Sequence, residues 1–571
     1  MMDVDRLQAT NLLIKRLHSD YPTKGFKISP NIDFVTQSDD SLSVVAKQRI
    51  SKDEILIVIP EAARLTTKAI LSSSFMKQLK RDVAKKSQFQ QYQQMLQPSD
   101  YSFAVAIMKV LGRKTSDGKE DFYVGQAHTW PSEQMMKDTS WFYWDVPSVQ
   151  QIWNQSRMFH IFEELRANVD STFNNIIYPI LLKNNPDDHI DESLPSNQDT
   201  AAAPKDKLYN TFLYSLAVLY SRSHEGYDEG DDSSGELVPI VELMNGHSDR
   251  IDEVIKKGKK SEKSVINVNI VLGKWPFIRG RMFRNDCNLP CSAVYAVRDI
   301  DEGEELIISY GDLSPTGFAF KYGCIPMDFI KHHNIMSDLS IFCDPNLIPD
   351  CKMRIKCLEK EDFPLDELKS NKKLALAHCS WPNTSLQQYM DGSETEFIGS
   401  MRHFIILASC RLMEDELNRN YRTGKLRGAL YNPEAYRRLC ELFQYNIELL
   451  GGDATSADDA AKASSPDIPS WEKCCLLARI AYRESLLMWQ RALALKANDS
   501  DDSAPMLAIQ FGWDIGTNVD ISSLGRGCQV CGRSYPELKC GKCKSVGREV
   551  QYCCRGHQVL GWQEHKMICG K

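Results

Sequence analysis

The C-terminal part of the chain carries eight cysteine and histidine residues at spacings typical of metal ligands. They are Cys528, Cys531, Cys540, Cys543, Cys553, His557, His565 and Cys569. The first four form two CxxC pairs, and the last four form two pairs whose members are separated by three residues. Zinc binds four nitrogen or sulfur ligands in a tetrahedron, and a CxxC turn supplies two thiolates. Eight ligands therefore predict two closed, structural zinc sites.

Composition and charge restrict the class of protein. None of the 18 cysteines precedes Cys287, and seven lie between Cys528 and Cys569, which is typical of a zinc site and not of a disulfide framework. We therefore expect a reducing compartment, the cytosol or the nucleus. The net charge of -7 disfavours nucleic acid as a partner, because phosphate contacts need a concentrated basic face. No apolar run reaches the ~20 residues of a membrane span, and no signal peptide is recognised.

The elements that must position reactive side chains follow an α+β pattern. Two short strands are predicted within Ser41–Pro60, and helices dominate from Ala69 to Tyr220. Strand patterning returns between Val265 and Tyr310. One system of β-strands is thus divided by a long helical insert.

A second helical region extends from Leu365 to Lys496. Inside it, residues 451–470 read GGDATSADDAAKASSPDIPS, which we interpret as a linker with too little apolar surface to become ordered. A further hinge is expected at Asn498–Ala504, before the zinc module. At 571 residues the chain exceeds the size of one hydrophobic core, which predicts two large domains in addition to that module.

The zinc module resembles the MYND finger. The resemblance includes Tyr552, Gln558 and Trp562, whereas His557 stands where the family usually has cysteine. It implies an interleaved arrangement, in which one ion is bound by Cys528, Cys531, Cys553 and His557 and the other by Cys540, Cys543, His565 and Cys569. Serial pairing is the alternative. MYND fingers are associated with binding short, often proline-containing peptides, so the module is expected either to bind a peptide ligand or to cap the helical domain.

Three segments of the preceding body resemble the SET domain, in the order and spacing of that family. They are VVAKQRISKDEILIVIP, LVPIVELMNGHSD and the closing segment RDIDEGEELIISYGD at Arg298–Asp312. Within the family, the chain is most similar to the Rubisco large-subunit methyltransferase class, which includes lysine and actin-histidine methyltransferases. LYSRSHE at Leu219–Glu225 and FYVGQAHTWPSE resemble further segments of this class.

The resemblance implies three domains. A β-rich SET domain would occupy residues 24–330 with a helical insert at about 65–220, an all-α substrate-binding domain residues 340–497, and the two-zinc finger residues 526–571. The class methylates proteins with S-adenosylmethionine as cofactor. The implied function is therefore methylation of lysine, or alternatively of histidine, in a protein substrate docked against the C-terminal helices.

The same resemblance implies roles for individual side chains. Tyr310 would place its hydroxyl at the cofactor methyl group and the incoming nitrogen. Asn245, with the backbone of Gly246 and His247, would hold the adenine end. Arg222 would pair with the cofactor carboxylate, for which a guanidinium fork is suited. A further tyrosine, at position 322 (Tyr322), would line the substrate channel.

Three departures from the class pattern favour a second hypothesis, in which an inactive SET fold serves with the finger as a peptide-recruiting scaffold. Ser38–Ser43 reads SDDSLS, without the usual glycines that allow close approach of the backbone to the cofactor. Gly246 separates the usual Asn-His pair. Pro315 follows Ser314 where the class has an amide side chain. The retained SYG sequence and Arg222 favour the enzyme, and both hypotheses stay open at this point.

Overall fold

The computed structural model of the chain contains two compact units. The first comprises residues 1–144, 164–252 and 264–312, and the second residues 145–163, 253–263 and 313–571. Placement is described for residues 5–21, 25–37, 41–66, 70, 74–86, 96–111, 122–184, 204–224, 235–249, 252, 263–271, 277–278, 281–282, 291–311, 313–326, 339–343, 374–379, 433–451, 456–498, 538–539, 551–552 and 569.

The elements alternate between helices and short strands. The strands are β1 (Lys27–Ile28), β2 (Ile32–Thr36), β3 (Leu42–Ala46), β4 (Ile55–Pro60), β5 (Asn245–His247), β6 (Val268–Val271), β7 (Phe277–Ile278), β8 (Arg281–Met282), β9 (Cys291–Ala296), β10 (Ile307–Ser309), β11 (Leu339–Cys343), β12 (Leu374–Cys379), β13 (Leu538–Lys539) and β14 (Gln551–Tyr552). The α-helices are Arg6–Asp20, Ser74–Lys86, Pro98–Leu111, Phe122–Ala127, Glu133–Thr139, Val146–Trp153, Arg157–Thr172, Tyr178–Asn184, Pro204–Arg222, Pro315–Tyr322, Pro433–Leu449, Ser456–Ala463 and Ser470–Asn498. Single turns of 3₁₀ or π geometry are Glu61–Ala63, Trp141–Tyr143, Phe173–Ile177 and Val241–Leu243.

The sheets of the first unit combine strands from both sides of the helical insert. Four strands form an antiparallel sheet in the order β1–β4–β9–β6. A separate antiparallel pair is formed by β2 and β3. β4 has the sequence ILIVIP and is buried along most of its length, as expected for a strand covered on both faces. The predicted α+β fold with a divided sheet is confirmed.

The helical insert builds a second apolar layer of the first unit. Helix Pro98–Leu111 packs on helix Pro204–Arg222. At their contact the buried rings of Tyr101 and Phe212 stack with a centroid distance of 6.2 Å. This packing helps to hold the helix whose last residue is Arg222.

The second unit is organised around one long helix, Ser470–Asn498. Helices Pro433–Leu449, Ser456–Ala463 and Pro315–Tyr322 pack against it. The region that was predicted to be all-α also contains an antiparallel pair, β11 with β12, which the hydrophobic pattern does not indicate. The helices themselves agree with the prediction.

The linker prediction for residues 451–470 is wrong. Residues Ser456–Ala463 form a helix, in which Asp459 is only 2 % exposed. Its carboxylate accepts hydrogen bonds from Arg479 Nε at 2.8 Å and Arg483 Nη1 at 3.0 Å. The segment becomes ordered through buried ion pairs with a helix 20 and 24 residues further along the chain. A composition rule based on apolar surface does not detect such pairs.

Among the described residues, no helix combines the length and the apolar character needed to cross a bilayer.

Candidate functional site

Two short strands of the first unit bring the NGH and SYG segments together. β5 runs parallel to β10. The pairing continues past β10, because the Tyr310 N–H donates to the His247 carbonyl oxygen at 2.9 Å. The side chain of Tyr310 is half-buried and packs against the apolar core. Four of the predicted site residues, Asn245, Gly246, His247 and Tyr310, are therefore neighbours.

Gly246 lies directly under the ring of Tyr310. A Cβ atom at this position would lie 2.6 Å from Cγ of Tyr310 and would overlap two further ring carbons. Only glycine allows the ring to approach the strand so closely. The glycine between Asn245 and His247 is thus explained by packing, since it provides the space that the tyrosine ring occupies.

Asn245 connects the three segments that resemble the SET family. Its Nδ2 donates to Glu305 Oε1 at 2.8 Å and lies 3.3 Å from Ser43 Oγ. Ser43 is a buried residue of β3, and Glu305 forms an isolated β-bridge with Val45 of the same strand. The opening, middle and closing segments therefore meet at the amide of Asn245, whose side chain is exposed.

Arg222 is the last residue of its helix; it is half-buried and interacts electrostatically with Tyr310. Its Nη1 donates to the carbonyl oxygen of Glu242 at 2.6 Å. Burial lowers the pKa of the Arg222 guanidinium, and electrostatic interactions with Glu242, Tyr310 and Tyr214 act in the opposite direction. Among the described atoms, Arg222 Nε is buried without a hydrogen-bond partner. A half-buried guanidinium with a buried, unused donor is an expected binding group for an anion.

Glu242 is a buried acid that the sequence reasoning missed. Its Oε1 accepts hydrogen bonds from Gln126 Nε2 at 3.0 Å and from Trp130 Nε1 at 2.9 Å. Burial raises the pKa of the Glu242 carboxyl to about 7, against the opposing effects of Gln126, Arg222 and Trp130. The sequence feature that could have revealed Glu242 is the presence of one acid inside the apolar run LVPIVELM. Both donors belong to the segment FYVGQAHTWPSE, which therefore holds the Glu242 carboxyl group in position.

The backbone before Glu242 has an unusual conformation. Ile240 is fully buried and has a φ of 69°. The Val241 N–H donates to the Pro239 carbonyl at 2.8 Å, which closes a three-residue γ-turn of the positive-φ form. A β-branched residue in this region of φ is strained, and such strain persists only where the surrounding packing enforces it. A rigid, strained turn therefore directly precedes Glu242 in the chain.

The backbone on the other side of Tyr310 is fixed by hydrogen bonds. Ser309 Oγ donates to Asp249 Oδ1 at 2.7 Å and accepts from the Gly311 N–H at 2.9 Å. The Asp249 N–H donates to the Gly311 carbonyl at 3.1 Å. Gly311 has a φ of 81°, a value that favours glycine. The glycine of SYG is thus required by the turn that holds Tyr310.

The remaining predicted features are only partly placed. Of SDDSLS, residues 38–40 lie outside the described residues. Ser314 begins a helix: its Oγ accepts from the Gly317 N–H at 3.1 Å, and Pro315 occupies the first helical turn, where a missing N–H costs little. Tyr322 lies on this helix in the second unit, with its ring 5.3 Å from that of Phe318. Its channel role stays a prediction.

The zinc ligands lie outside the described residues, except for Cys569. In the finger, β13 and β14 form an antiparallel pair with Leu538 opposite Tyr552. Within the described ranges no group of three or more His, Cys, Asp or Glu side chains is arranged to hold a metal ion. The ligand assignment and the interleaved pairing stay predictions.

Comparison with known sequences identifies the finger. Residues 528–569 match the model of the MYND finger family. The same part of the chain is 40% identical over 42 residues to Egl nine homolog 1 of Mus musculus and 38% identical over 42 residues to Egl nine homolog 1 of Homo sapiens. The matches span 10% and 9% of the length of these two relatives.

Comparison with solved structures identifies the fold of the body. The SET domain of LSMT bound to MeLysine and AdoHcy matches with a TM-score of 0.54 and 13% identity, over 86% of this chain and 93% of that chain. The SET domain of LSMT bound to lysine and AdoHcy matches with a TM-score of 0.52 and 13% identity, over 85% and 90%. Rubisco LSMT bound to AdoMet gives a TM-score of 0.51 and 12% identity, over 86% and 93%.

The comparisons define two classes of structure within one chain. The body has the SET-type fold found in Rubisco LSMT, and the C-terminal module is a MYND finger. Both predictions from the sequence are confirmed at this level. At 12–13% identity the structural likeness establishes the fold and leaves the activity to be inferred from the site.

Proposed function

We propose that this chain is an S-adenosylmethionine-dependent protein methyltransferase that modifies lysine, with histidine as the alternative acceptor. The observation that carries the proposal is the packing of Tyr310, the residue after β10, on Gly246 of β5, together with the electrostatic interaction of Arg222 with the same tyrosine. Solved SET domains of similar fold have lysine or methyllysine and AdoHcy bound. This likeness supports the choice of acceptor.

The residues present fit the proposed cofactor. Arg222 offers a half-buried guanidinium whose buried Nε has no hydrogen-bond partner among the described atoms, which suits the carboxylate of S-adenosylmethionine. Asn245 presents an exposed amide on β5, the strand that pairs with β10. When bound, the cofactor supplies a methyl group on a positively charged sulfur.

The protein's own contribution would be alignment and exclusion of water. Methyl transfer to a neutral amine is an in-line displacement, so little acid–base chemistry is required of side chains. Tyr310 is held at its backbone by the bond to His247 and at its ring by Gly246. A hydroxyl fixed in this way would orient the incoming nitrogen through a hydrogen bond. The adjoining apolar core would limit access of water.

The proposal is tested first by cofactor binding. Wild-type protein should bind S-adenosylmethionine in a calorimetric titration, and Arg222→Met should weaken binding by about 100-fold, because a buried charged pair loses one partner. Arg49→Met, which changes an exposed arginine of the same unit, should bind like wild type. Absence of binding by the wild-type chain at millimolar cofactor would leave only the scaffold hypothesis.

Transfer is tested with tritium-labelled S-adenosylmethionine and an undermethylated cell extract as acceptor. Tyr310→Phe should lower the initial rate by about 100-fold, a typical effect of removing one hydrogen-bonding group from the transition state. Tyr295→Phe is the matched control, since this tyrosine of β9 accepts from Asn269 at 3.2 Å on the exposed side of the sheet. Undiminished transfer by Tyr310→Phe would refute the role of the hydroxyl.

For the finger we propose two structural zinc ions and a protein-interaction role. The match to the MYND family supports both. A peptide ligand of the finger and a protein substrate of the body would be different partners. We also propose the cytosol or the nucleus as the location, because thiolate ligands need a reducing environment.

A further inference from the structure

The amide of Asn245 is held in one orientation by its neighbours. Its nitrogen lies 2.8 Å from Glu305 Oε1 and 3.3 Å from Ser43 Oγ. An amide can be turned by 180° about its last torsion, which exchanges an acceptor oxygen for a donor nitrogen. The partner decides which of the two orientations is stable.

Glu305 fixes this choice. An ionised carboxylate only accepts hydrogen bonds, so the NH₂ group of Asn245 must face it, and the opposite orientation would bring two acceptors together. The serine hydroxyl can donate or accept and fits either orientation. The Oδ1 atom of Asn245 is thereby the one available for a ligand, and the residue is exposed enough to be reached.

The backbone holds Glu305 firmly in place. The residue forms a β-bridge with Val45, and the next N–H, that of Leu306, donates to the Val44 carbonyl at 2.7 Å. Its own carbonyl oxygen accepts from Asn267 Nδ2 at 2.6 Å. A carboxylate anchored on both sides by strand contacts can impose an orientation on its neighbour.

We infer that Glu305 is a positioning residue that makes Asn245 an acceptor, so that the site selects a cofactor N–H donor at this point. The inference rests on the proposed function. S-adenosylmethionine has two such donors, the exocyclic amine of adenine and the α-ammonium group. Both have the same hydrogen-bond chemistry, and analogues distinguish them.

The experiment measures dissociation constants of S-adenosylhomocysteine and two analogues by calorimetry. S-inosylhomocysteine replaces the adenine amine by an acceptor oxygen, and the deaminated analogue lacks the α-amino group. Wild type should bind one of the two analogues about 10-fold more weakly than S-adenosylhomocysteine, the effect of one hydrogen bond, and this identifies the donor. Equal binding of all three would overturn the inference.

Two substitutions of Glu305 then test its control over the amide. Glutamine can accept or donate, so Glu305→Gln should allow both orientations and weaken S-adenosylhomocysteine binding only about twofold. Lysine can only donate, so Glu305→Lys should reverse the amide and weaken binding by about 10-fold. Because the amide then donates, Glu305→Lys should also reduce or reverse the preference against the inosine analogue, if adenine supplies the donor.

Glu302 provides a matched control. It is an exposed acid of the turn that precedes Glu305. Glu302→Lys makes the same change of charge and should leave both the affinity and the analogue preference within about twofold of wild type. A preference that is unchanged in Glu305→Lys, or changed equally in Glu302→Lys, would refute the positioning role while leaving the proposed function intact. Failure of the wild type to bind any of the compounds would instead refute the proposed function.

Discussion

Glu242 is a carboxyl group held away from water. Burial raises its pKa from 4.5 to about 7, which means that the folded protein favours the protonated form. The protonated carboxyl makes its full contribution to the free energy of unfolding below the unfolded pKa of 4.5. This contribution is lost as the pH rises to the folded pKa of about 7. From the two pKa values the loss amounts to about 3 kcal/mol.

Glu242→Gln should remove this pH dependence. Glutamine retains an oxygen that can accept from Gln126 and Trp130 but does not ionise. The difference in melting temperature, variant minus wild type, should therefore increase as the pH rises from about 5 to about 7.5. Above about pH 7.5 this difference should stay constant. Scanning calorimetry of the full chain at each pH measures this.

The control for this prediction is Glu302→Gln, which removes an exposed carboxyl group of the same unit. Its melting temperature should follow that of wild type at every pH. A difference between Glu242→Gln and wild type that stays the same from pH 5 to pH 8 would show that Glu242 does not titrate in this range.

Residues of the site differ in how far the sequence reveals them. Asn245, Gly246 and Tyr310 stand in segments whose order and spacing resemble a family, so their proximity was predicted. Glu242 and Glu305 were not recognised, because their partners are 116 and 60 residues away and belong to other elements. Hydrogen bonds over such separations depend on tertiary packing, which a single sequence does not display.

At the scale of elements, helix Ser456–Ala463 depends on one buried carboxylate. Asp459 pairs with both Arg479 and Arg483, and all three are less than 10 % exposed. Arg479 also donates to the carbonyl oxygen of Ile152. The cluster connects three helices of the second unit, although the composition of residues 451–470 indicates a linker.

Asp459→Ala should destabilise this part of the second unit strongly. The substitution leaves two buried guanidinium groups without their carboxylate, which typically costs about 3–5 kcal/mol. Hydrogen exchange followed by mass spectrometry should show protection in peptides of helix Ser470–Asn498 reduced by about 100-fold or more. Asp467→Ala, at an exposed position of the same region, is the control and should leave protection unchanged.

Elements with a strong hydrophobic pattern were predicted well, and elements with a weak pattern were not. The apolar run of β4 and the long helices follow directly from hydrophobic patterning. Helix Arg6–Asp20 was not predicted, although Leu13 and Leu17 anchor it in the core. Only four of its residues are buried, so its pattern is weak. The pair β11–β12, with strands of five and six residues, was not predicted either.

At the scale of the whole molecule, the finger differs from the body in what stabilises it. The body has extensive apolar cores, whereas the finger has few apolar residues and eight predicted ligands. Small modules of this kind fold only when metal is bound. The presence of the finger was predicted from the spacing of its cysteine and histidine residues, because metal ligation imposes local constraints that a sequence shows directly.

Removal of zinc should therefore unfold the finger and spare the body. Native mass spectrometry of the full chain should detect two zinc ions, which a strong chelator removes. Hydrogen-exchange protection should then be lost within residues 528–569 and retained in the body.

Adjacent cysteines provide a matched pair of variants for this experiment. Cys553→Ser changes a predicted ligand and should reduce zinc content, whereas Cys554→Ser changes the neighbouring extra thiol and should retain both ions. Equal zinc content in the two variants would contradict the ligand assignment.

The parallel pairing of β5 with β10 has a consequence for biosynthesis. Chains are made from the N-terminus, and contacts between distant segments form after local ones. A nascent chain that ends before β10 lacks the strand that pairs with β5, so we expect β5 to stay exposed while the earlier insert helices fold. The packing of Tyr310 on Gly246 forms only when the closing segment has left the ribosome, so we expect a truncated translation product to present an open strand edge and an incomplete candidate site.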